Sequence, residues 1–397
     1  MPKLLVVDDS ALIRKFVKDI FVGDSSYVME FAKNGKEAIE FLHRFQPDVI
    51  TLDVNMPEMD GLEALSKIMA ERPTPVIMLS ALTSRDASTS LDALAIGALD
   101  CVAKPTGMGA LTPGAFAEEV KRKVQIAVIS RSRLGQFGTR QIQTTKPTVR
   151  STSYPASKPS TSLGGNTSRS SGSALSSGPE FINGSSFKTA VPGPSSLIGN
   201  PPGVVLIGVS TGGPRLLEKL LPSLPGDFPW PVVVIQHMPK KFTEAFASRV
   251  DKYCDLNVQE VVEATPIISG NIYIAHGSAD SILIKHQGRI CMQSVNEDAG
   301  YYWHPSVSVM VKSAMSLFEP KQLIGVMLTG MGNDGAQEMF ELKQAGGRTI
   351  AESEESCVVF GMPRELIRRG GATVVAPAED IAIQLCRWLM RTPSGLH

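Results

Sequence analysis

Lys3-Leu4-Leu5-Val6-Val7-Asp8-Asp9-Ser10 is an unbroken apolar run closed by two carboxylates. A run this short, ending in turn-forming residues, reads as a strand buried on both faces of a parallel sheet. Working outward, similar runs recur at Asp48–Leu52, Val76–Leu79 and Cys101–Val102, with a weaker one at Val28–Phe31 and helical patterns between them. That alternation is the rhythm of βαβ units. It predicts one doubly wound α/β domain over residues 1–130, whose last helix opens at Thr112-Pro113 with Thr as N-cap and Pro at the first helical position.

The pattern fails beyond this domain. From 151 to 200, 31 of 50 residues are Ser, Thr, Pro or Gly, and Glu180 is the one acid. Such a segment buries too little apolar surface to offset the entropy of ordering, so residues 131–201 are expected to be a flexible linker. Phe181, Ile182 and Phe187 are its candidate docking residues, although a plain linker is the favoured reading. At Pro202 the alternation resumes, with strands expected at Val204–Val209, Val232–Gln236, Asn271–Ala275, Ser281–Lys285 and Leu323–Thr329. Residues 202–392 thus read as a second parallel-sheet α/β domain.

Composition narrows the function classes. The 397 residues carry 39 Lys plus Arg and 39 Asp plus Glu, so there is no positive excess to hold nucleic acid or an anionic membrane. No apolar run approaches the ~20 residues that cross a bilayer, and the first strand is too short for a signal peptide. The five cysteines (Cys101, Cys254, Cys291, Cys357, Cys386) never form a Cys-x-x-Cys pair. This argues against a disulfide framework or Cys-type zinc site and for a reducing, cytoplasmic location.

In the first domain Asp8 and Asp9, Asp53, Ser80 and Lys104 all stand at the carboxyl ends of expected strands, where a doubly wound sheet has its ligand crevice. One Asp after a strand is often only a turn residue. Three converging carboxylates, however, need a cation, and an all-oxygen set suits a hard one such as Mg²⁺. With Lys104 as a second positive charge, the pocket suits a phosphoryl group carried on one carboxylate. The strings Val6-Val7-Asp8-Asp9-Ser10, Asp53-Val54-Asn55-Met56-Pro57-Glu58-Met59-Asp60-Gly61, Ser80-Ala81 and Lys104-Pro105 resemble the response-regulator receiver family, which is flavodoxin-like. The resemblance implies that Asp53 accepts the phosphoryl group. It also implies that Asp8, Asp9, Asp53 and the Asn55 carbonyl serve Mg²⁺, and that Ser80 and Lys104 are the switch hydroxyl and phosphoryl-binding cation. Lys104-Pro105 is an X–Pro bond with scope to be cis. Cys101 stands where the family often has an aromatic switch residue, and is expected to be a buried strand residue rather than a redox sensor.

In the second domain three chemistry-bearing groups follow apolar strands: Ser210 in Gly208-Val209-Ser210-Thr211-Gly212-Gly213, His237 after Val232–Gln236, and Asp334 in Gly330-Met331-Gly332-Asn333-Asp334-Gly335. Parallel strands would bring them to one rim. A serine becomes a nucleophile when an imidazole takes its proton, and the imidazole needs a carboxylate to fix its tautomer. Taken alone, the glycine-rich turn is equally suited to cradling a phosphate, Asn-Asp-Gly is a common turn, and His304 in Trp303-His304-Pro305-Ser306 is a rival base. The order Ser…His…Asp also differs from that of α/β-hydrolases.

Together, Ile207–Pro214, Gln236-His237-Met238-Pro239, Leu328–Gly335 and Val359-Phe360-Gly361-Met362-Pro363 resemble the catalytic domain of chemotaxis protein-glutamate methylesterases, a Rossmann-like serine esterase domain. The resemblance implies Ser210 as nucleophile, His237 as base, Asp334 as its carboxylate and the Met331 backbone N–H as an oxyanion donor, with no cofactor in this domain. It further implies a phosphorylation-activated esterase that demethylates glutamates on methyl-accepting chemoreceptors and deamidates receptor glutamines, with a chemotaxis histidine kinase as phosphodonor. Departures from the family pattern lie at His276, Asp280 and Ala351-Glu352-Ser353-Glu354, outside those positions. The rival readings are a non-catalytic adaptor and a DNA-binding regulator; charge balance disfavours the second.

Overall fold

The computed structural model of the chain describes residues 1–23, 26–81, 83–105, 112–138 and 199–390. Most of the segment expected to be a linker, Phe181, Ile182 and Phe187 included, lies outside the described residues.

The first sheet consists of β1 (Lys3–Val7), β2 (Val28–Ala32), β3 (Val49–Asp53), β4 (Val76–Ser80) and β5 (Asp100–Ala103). All its pairs are parallel, in the order β2-β1-β3-β4-β5. Strand order reverses beside β1 and β3, and the crevice of such a sheet lies outside the carboxyl ends at that point. Helices α1 (Ala11–Phe21), α2 (Gly35–Arg44), α3 (Gly61–Glu71), α4 (Ser84–Ile96) and α5 (Pro113–Gly138) alternate with the strands. Local sequence sets several helix starts: Ser10, Asn34, Asp60 and Thr83 each accept a backbone N–H three residues on. Thr112 Oγ1 likewise accepts Ala115 N at 3.2 Å. Phe116, Val120, Val124 and Ala127 form the buried stripe of α5, which continues past residue 130 to Gly138.

The second sheet is wider. Strands β6 (Val204–Val209), β7 (Val232–Gln236), β8 (Asn257–Val261), β10 (Asn271–Ala275), β13 (Leu323–Met327), β14 (Arg348–Glu352) and β15 (Val374–Ala376) run parallel in the order β15-β14-β13-β6-β7-β10-β8. The reversal here falls between β6 and β13. Helices α6 (Gly213–Leu220), α7 (Phe242–Asp251), α8 (Val307–Met315), α9 (Ala336–Gln344), α10 (Met362–Arg368) and α11 (Ala378–Leu389) complete the layers.

One expectation is corrected. Ser281–Lys285 belongs to β11 (Asp280–His286), which pairs antiparallel with β12 (Arg289–Val295); with β9 (Thr265–Pro266) these form a separate three-stranded sheet. The connection is the two-residue turn Gln287-Gly288, both with positive φ, which matches the twist of a tight hairpin. A second correction concerns Lys104–Pro105, which is trans; the cis peptide among the described residues is His304–Pro305. Cis is the minority state even before proline.

The described residues of both sheets and their helices form one compact unit. Within it Leu91 and Leu94 of α4 share a buried apolar cluster with Leu217 and Leu220 of α6 and Phe246 and Ala247 of α7. Arg249 on α7 donates to Glu218 on α6 at 2.7 Å and pairs with Asp92 on α4.

Candidate functional sites

At the carboxyl edge of the first sheet, β1 delivers Asp8 and Asp9 and β3 delivers Asp53. Each offers a carboxylate oxygen, and these lie within 4.8 Å of one another. Asp8 and Asp53 are buried and Asp9 is exposed. Lys104 Nζ, just past β5, lies 2.8 Å from Asp8 Oδ2 and 2.7 Å from Asp53 Oδ1. Burial pushes the Asp53 carboxyl up to about 6, with Lys104 pulling it down and Asp8 pushing it up. Burial likewise raises Asp8, against the pull of Lys104. One ammonium therefore does not fully compensate two buried carboxylates plus a third beside them, and this donor set fits a hard divalent cation.

Ser80 Oγ donates to the Ala81 and Asp86 carbonyls, at 3.2 and 3.5 Å. Asn55 uses its side chain to bond Asp86 Oδ1 at 3.0 Å, tying the loop after Asp53 to α4. Sequence reading passed over Asp86, whose one signal was its place three residues after the capping Thr83. Cys101 is buried, and burial pushes its thiol up to about 12, far from a reactive thiolate.

The second crevice is built at the β6/β13 reversal. Ser210 follows β6 directly; its N–H donates to Thr329 O at 2.9 Å, and its own carbonyl accepts Gly213 N at 2.8 Å. This sharp turn needs glycine at Gly212, where φ is +82°. Gly330 is needed for another reason: a Cβ there would stand 2.7 Å from Ser210 Cβ and 2.5 Å from Met362 Sδ. The loop bearing Met331 therefore passes directly against the serine. Met331 N–H donates to no acceptor among the described residues.

His237 Nε2 lies 2.9 Å from Asp334 Oδ2, and Nδ1 is buried without a hydrogen-bond partner among the described residues. Asp334 also accepts from Val307 N at 2.7 Å and from Ser306 Oγ and Ser308 N at 3.0 Å. Its carboxylate thus sits on the N-terminus of α8, where aligned N–H groups favour negative charge. Burial pulls the Asp334 carboxyl upward, but His237 and the Ser308 and Val307 N–H groups outweigh it and hold it below the usual carboxylate range. Trp303 stacks on the imidazole, with centroids 5.7 Å apart and planes 4° from parallel. Gln236 Nε2 braces the turn by donating to Ser210 O at 3.0 Å. Ser210 Oγ makes no hydrogen bond to His237 in this structure; catalytic bonds of free enzymes often close only around substrate.

His304, the rival base, pairs through Nδ1 with Asp280 Oδ2 at 3.0 Å. Asp280 Oδ1 accepts Ser306 N at 2.9 Å, so these two residues brace the segment that caps Asp334. Trp303, Ser306 and Gln236 carried only their nearness to the motifs as a signal, because tertiary packing alone decides what they touch.

The domain containing the first sheet reaches the second site. Thr211, next to Ser210, donates to Asp100 Oδ2 at 2.6 Å. The other Asp100 oxygen holds Lys123 Nζ at 2.9 Å. Burial alone would lower the Lys123 ammonium, but Asp100 and Glu119 overcome it and hold it above its ordinary value. Val358, from the loop after β14, packs against the apolar cluster of the first domain that contains Phe116. Ser210 is only 3% exposed.

Comparison with known proteins places these features in context. Residues 4–113 match the response regulator receiver domain family, and residues 205–385 match the CheB methylesterase family. A Rhodospirillum rubrum protein named protein-glutamate methylesterase/protein-glutamine glutaminase 3 is 44% identical over 399 residues, covering 100% of this chain and 99% of its own. A Rhodopseudomonas palustris protein named protein-glutamate methylesterase/protein-glutamine glutaminase 2 is 42% identical, covering 98% of each chain. The crystal structure of the Thermotoga maritima CheB methylesterase catalytic domain is 39% identical and covers 47% of this chain and 97% of that one, with a TM-score of 0.45.

Proposed function

Since the chain belongs to the protein-glutamate methylesterase/protein-glutamine glutaminase family of response regulators, we propose that Ser210, His237 and Asp334 carry its ester hydrolysis and that its receiver domain governs access to them. The observation that carries this reading is the buried His237–Asp334 pair beside Ser210 at the reversal of β6 and β13.

Ser210 Oγ attacks the γ-carbonyl of a glutamate methyl ester while His237 Nδ1 takes its proton. Asp334 stays ionised and stabilises the imidazolium through Nε2–H. The oxyanion accepts the free Met331 N–H, a donor aimed where charge develops. Collapse expels the methoxy group, which takes the proton from His237 and leaves as methanol. Water then gives a proton to the same imidazole as it attacks the acyl-enzyme, and the imidazolium returns that proton to Ser210 Oγ as the acyl bond breaks and glutamate leaves. A glutamine side chain enters the same acyl-enzyme with ammonia as leaving group.

Regulation follows from the receiver lying against Thr211. Asp53 is the phosphoacceptor, Lys104 binds phosphoryl oxygens, and Ser80 swings from Asp86 towards them. Mg²⁺ held by Asp8, Asp9, Asp53 and the Asn55 carbonyl would neutralise charge on the transferring group. Phosphorylation weakens the closed arrangement, and ~5.5 kcal/mol of differential stability would carry it from 1:99 to 99:1 open. The substrates are methylated chemoreceptors, the phosphodonor is a chemotaxis histidine kinase, and the setting is the cytoplasm; no helix among the described residues is long and apolar enough to cross a membrane. Nucleic acid is not a partner on this reading.

The test is methanol release from methylated receptor membranes, with and without a small-molecule phosphodonor and Mg²⁺. Wild type should release methanol and be stimulated; Ser210→Ala should release none. Release that persists in Ser210→Ala would overturn the assignment.

A further inference from the structure

Glu352, the last residue of β14, is fully buried and takes no part in the chemistry above. Its carboxyl group is the meeting point of three donors. Oε2 accepts Thr329 N at 2.7 Å, Oε1 accepts Ser356 Oγ at 2.9 Å, and the Cys357 thiol donates as well. No cation pairs with it among the described residues. A buried carboxylate held by neutral donors alone is costly, and each donor left without it would be stranded.

Thr329 is the link to the site. Its carbonyl accepts Ser210 N at 2.9 Å, and its hydroxyl donates to Thr211 O at 3.0 Å and accepts Val359 N at 2.9 Å. The next residue, Gly330, is the one where any Cβ would run into Ser210, and Met331 follows. Thr329 therefore joins the nucleophile turn, the oxyanion loop and the loop after β14, and Glu352 holds the one backbone N–H that anchors it.

We propose that Glu352 is a positioning residue for ester hydrolysis: as a carboxylate it fixes Thr329, and through Thr329 the spacing of Ser210 from the Met331 N–H, and its protonation slackens that frame. The inference rests on Ser210 being the nucleophile. All three partners donate, so the ionised group satisfies them together, whereas the protonated group adds an O–H donor of its own among groups that already donate, and the Ser356 hydroxyl must turn to accept it. The bond to Thr329 also loses its charge assistance, which halves its strength roughly.

The change falls within working pH. Burial, with a smaller push from Glu379 at the start of α11, raises the Glu352 carboxyl to about 7 against its three donors. Around β14, the strands β13 and β15 carry no charged residue; Glu341 of α9, Arg364 of α10 and Asp380 and Arg387 of α11 are exposed to solvent, and the remaining charged groups on α9 and at α10 have partners of their own. Glu338 takes Ser308 and Lys312, Lys343 takes the Gly370 and Ala372 carbonyls, Glu365 takes Arg368, and Arg369 takes Gln337.

The experiment compares full-length wild type, Glu352→Gln and Glu352→Leu by kcat and KM for methanol release between about pH 6 and 8.5, with saturating phosphodonor and Mg²⁺. Any pH dependence that the three chains share cancels in their ratios. Glu352→Gln keeps an acceptor for Thr329 at every pH. Its kcat should stay within about threefold of wild type at pH 8, and the ratio of variant to wild type should climb about threefold or more by pH 6. Glu352→Leu should lose about tenfold or more in kcat with KM unchanged, the signature of misplacement. A flat Gln-to-wild-type ratio, or a folded Leu variant with wild-type kcat, would overturn the proposal. Ser210→Ala run alongside separates the two readings: activity persisting there overturns the nucleophile assignment and this inference with it.

Discussion

His237 meets Asp334 through Nε2, at 2.9 Å, which leaves Nδ1 as the nitrogen available to a serine hydroxyl. In chymotrypsin-like triads the two nitrogens have the opposite partners, yet either arrangement makes one nitrogen a held donor and the other a free base. Asp334→Asn would offer His237 an amide in place of the carboxylate and disturb that tautomer. We expect kcat to fall by ~10³–10⁴ with little change in KM, read by methanol release. The depressed Asp334 carboxyl also contributes stability that is complete above pH ~4 and is lost as pH falls through its folded value, so the Asn variant should differ least from wild type in acid melts.

Trp303 covers one face of the same imidazole, and its indole N–H has no hydrogen-bond partner among the described residues. Trp303→Phe keeps a ring there without stranding a donor and should retain kcat within about threefold. Trp303→Ala frees the imidazole and should cost about tenfold or more. Equal losses in the two variants would refute this account.

Arg249 bridges Asp92 of the receiver to Glu218 of the esterase domain. Arg249→Ala removes a partly exposed bridge of the kind worth about 0.2–1 kcal/mol. Unstimulated methanol release should rise roughly two- to fivefold while the phosphodonor-stimulated rate stays put. An unchanged basal rate would show that α4 and α7 hold together without it.

Mg²⁺ should raise the Tm of the wild type, because an ion that binds only the folded chain stabilises it by mass action. Asp53→Asn removes one of the proposed ligands and should blunt that rise as well as remove stimulation. Scanning calorimetry with Mg²⁺ and with a chelator checks it; equal shifts in both chains would exclude Asp53 as a ligand.

The Glu352 carboxyl, raised from 4.5 to about 7, binds its proton more tightly in the folded chain, so its ionisation costs stability as pH rises from about 4.5 through 7. Glu352→Gln removes that cost. Its Tm should exceed that of wild type at pH 8, by on the order of 3 kcal/mol in stability, and converge with it below pH 4.5. A gap that does not vary with pH would assign the effect to packing instead.

Strands buried on both faces were legible in the sequence where the apolar run is continuous. β1, β6, β7 and β10 read as continuous apolar runs, and the carboxylates, serine and histidine stand directly after them. β8, with Gln259 and Glu260 at a sheet edge, β14, with Arg348 and Glu352 at its ends, and the short β15 lack that run, and all three went unread. The direction of β11 was hidden because pairing with β12 depends on a turn at Gln287-Gly288 that the apolar pattern of Ser281–Lys285 does not report. Thr329, Glu352 and Trp303 were illegible as site residues for a deeper reason. Their meaning lies in partners far along the chain, and nothing local to a buried glutamate tells which N–H it holds.

β6 cannot complete its neighbourhood until β13 exists, since Val204 pairs with Leu323. On the ribosome that pairing waits for most of the chain, whereas β1 to β5 close among themselves early, and domains fold in the order they emerge. The receiver is therefore finished before the last part of the esterase is made. A newborn chain thus has its receiver in place before the proposed Ser210 site is complete.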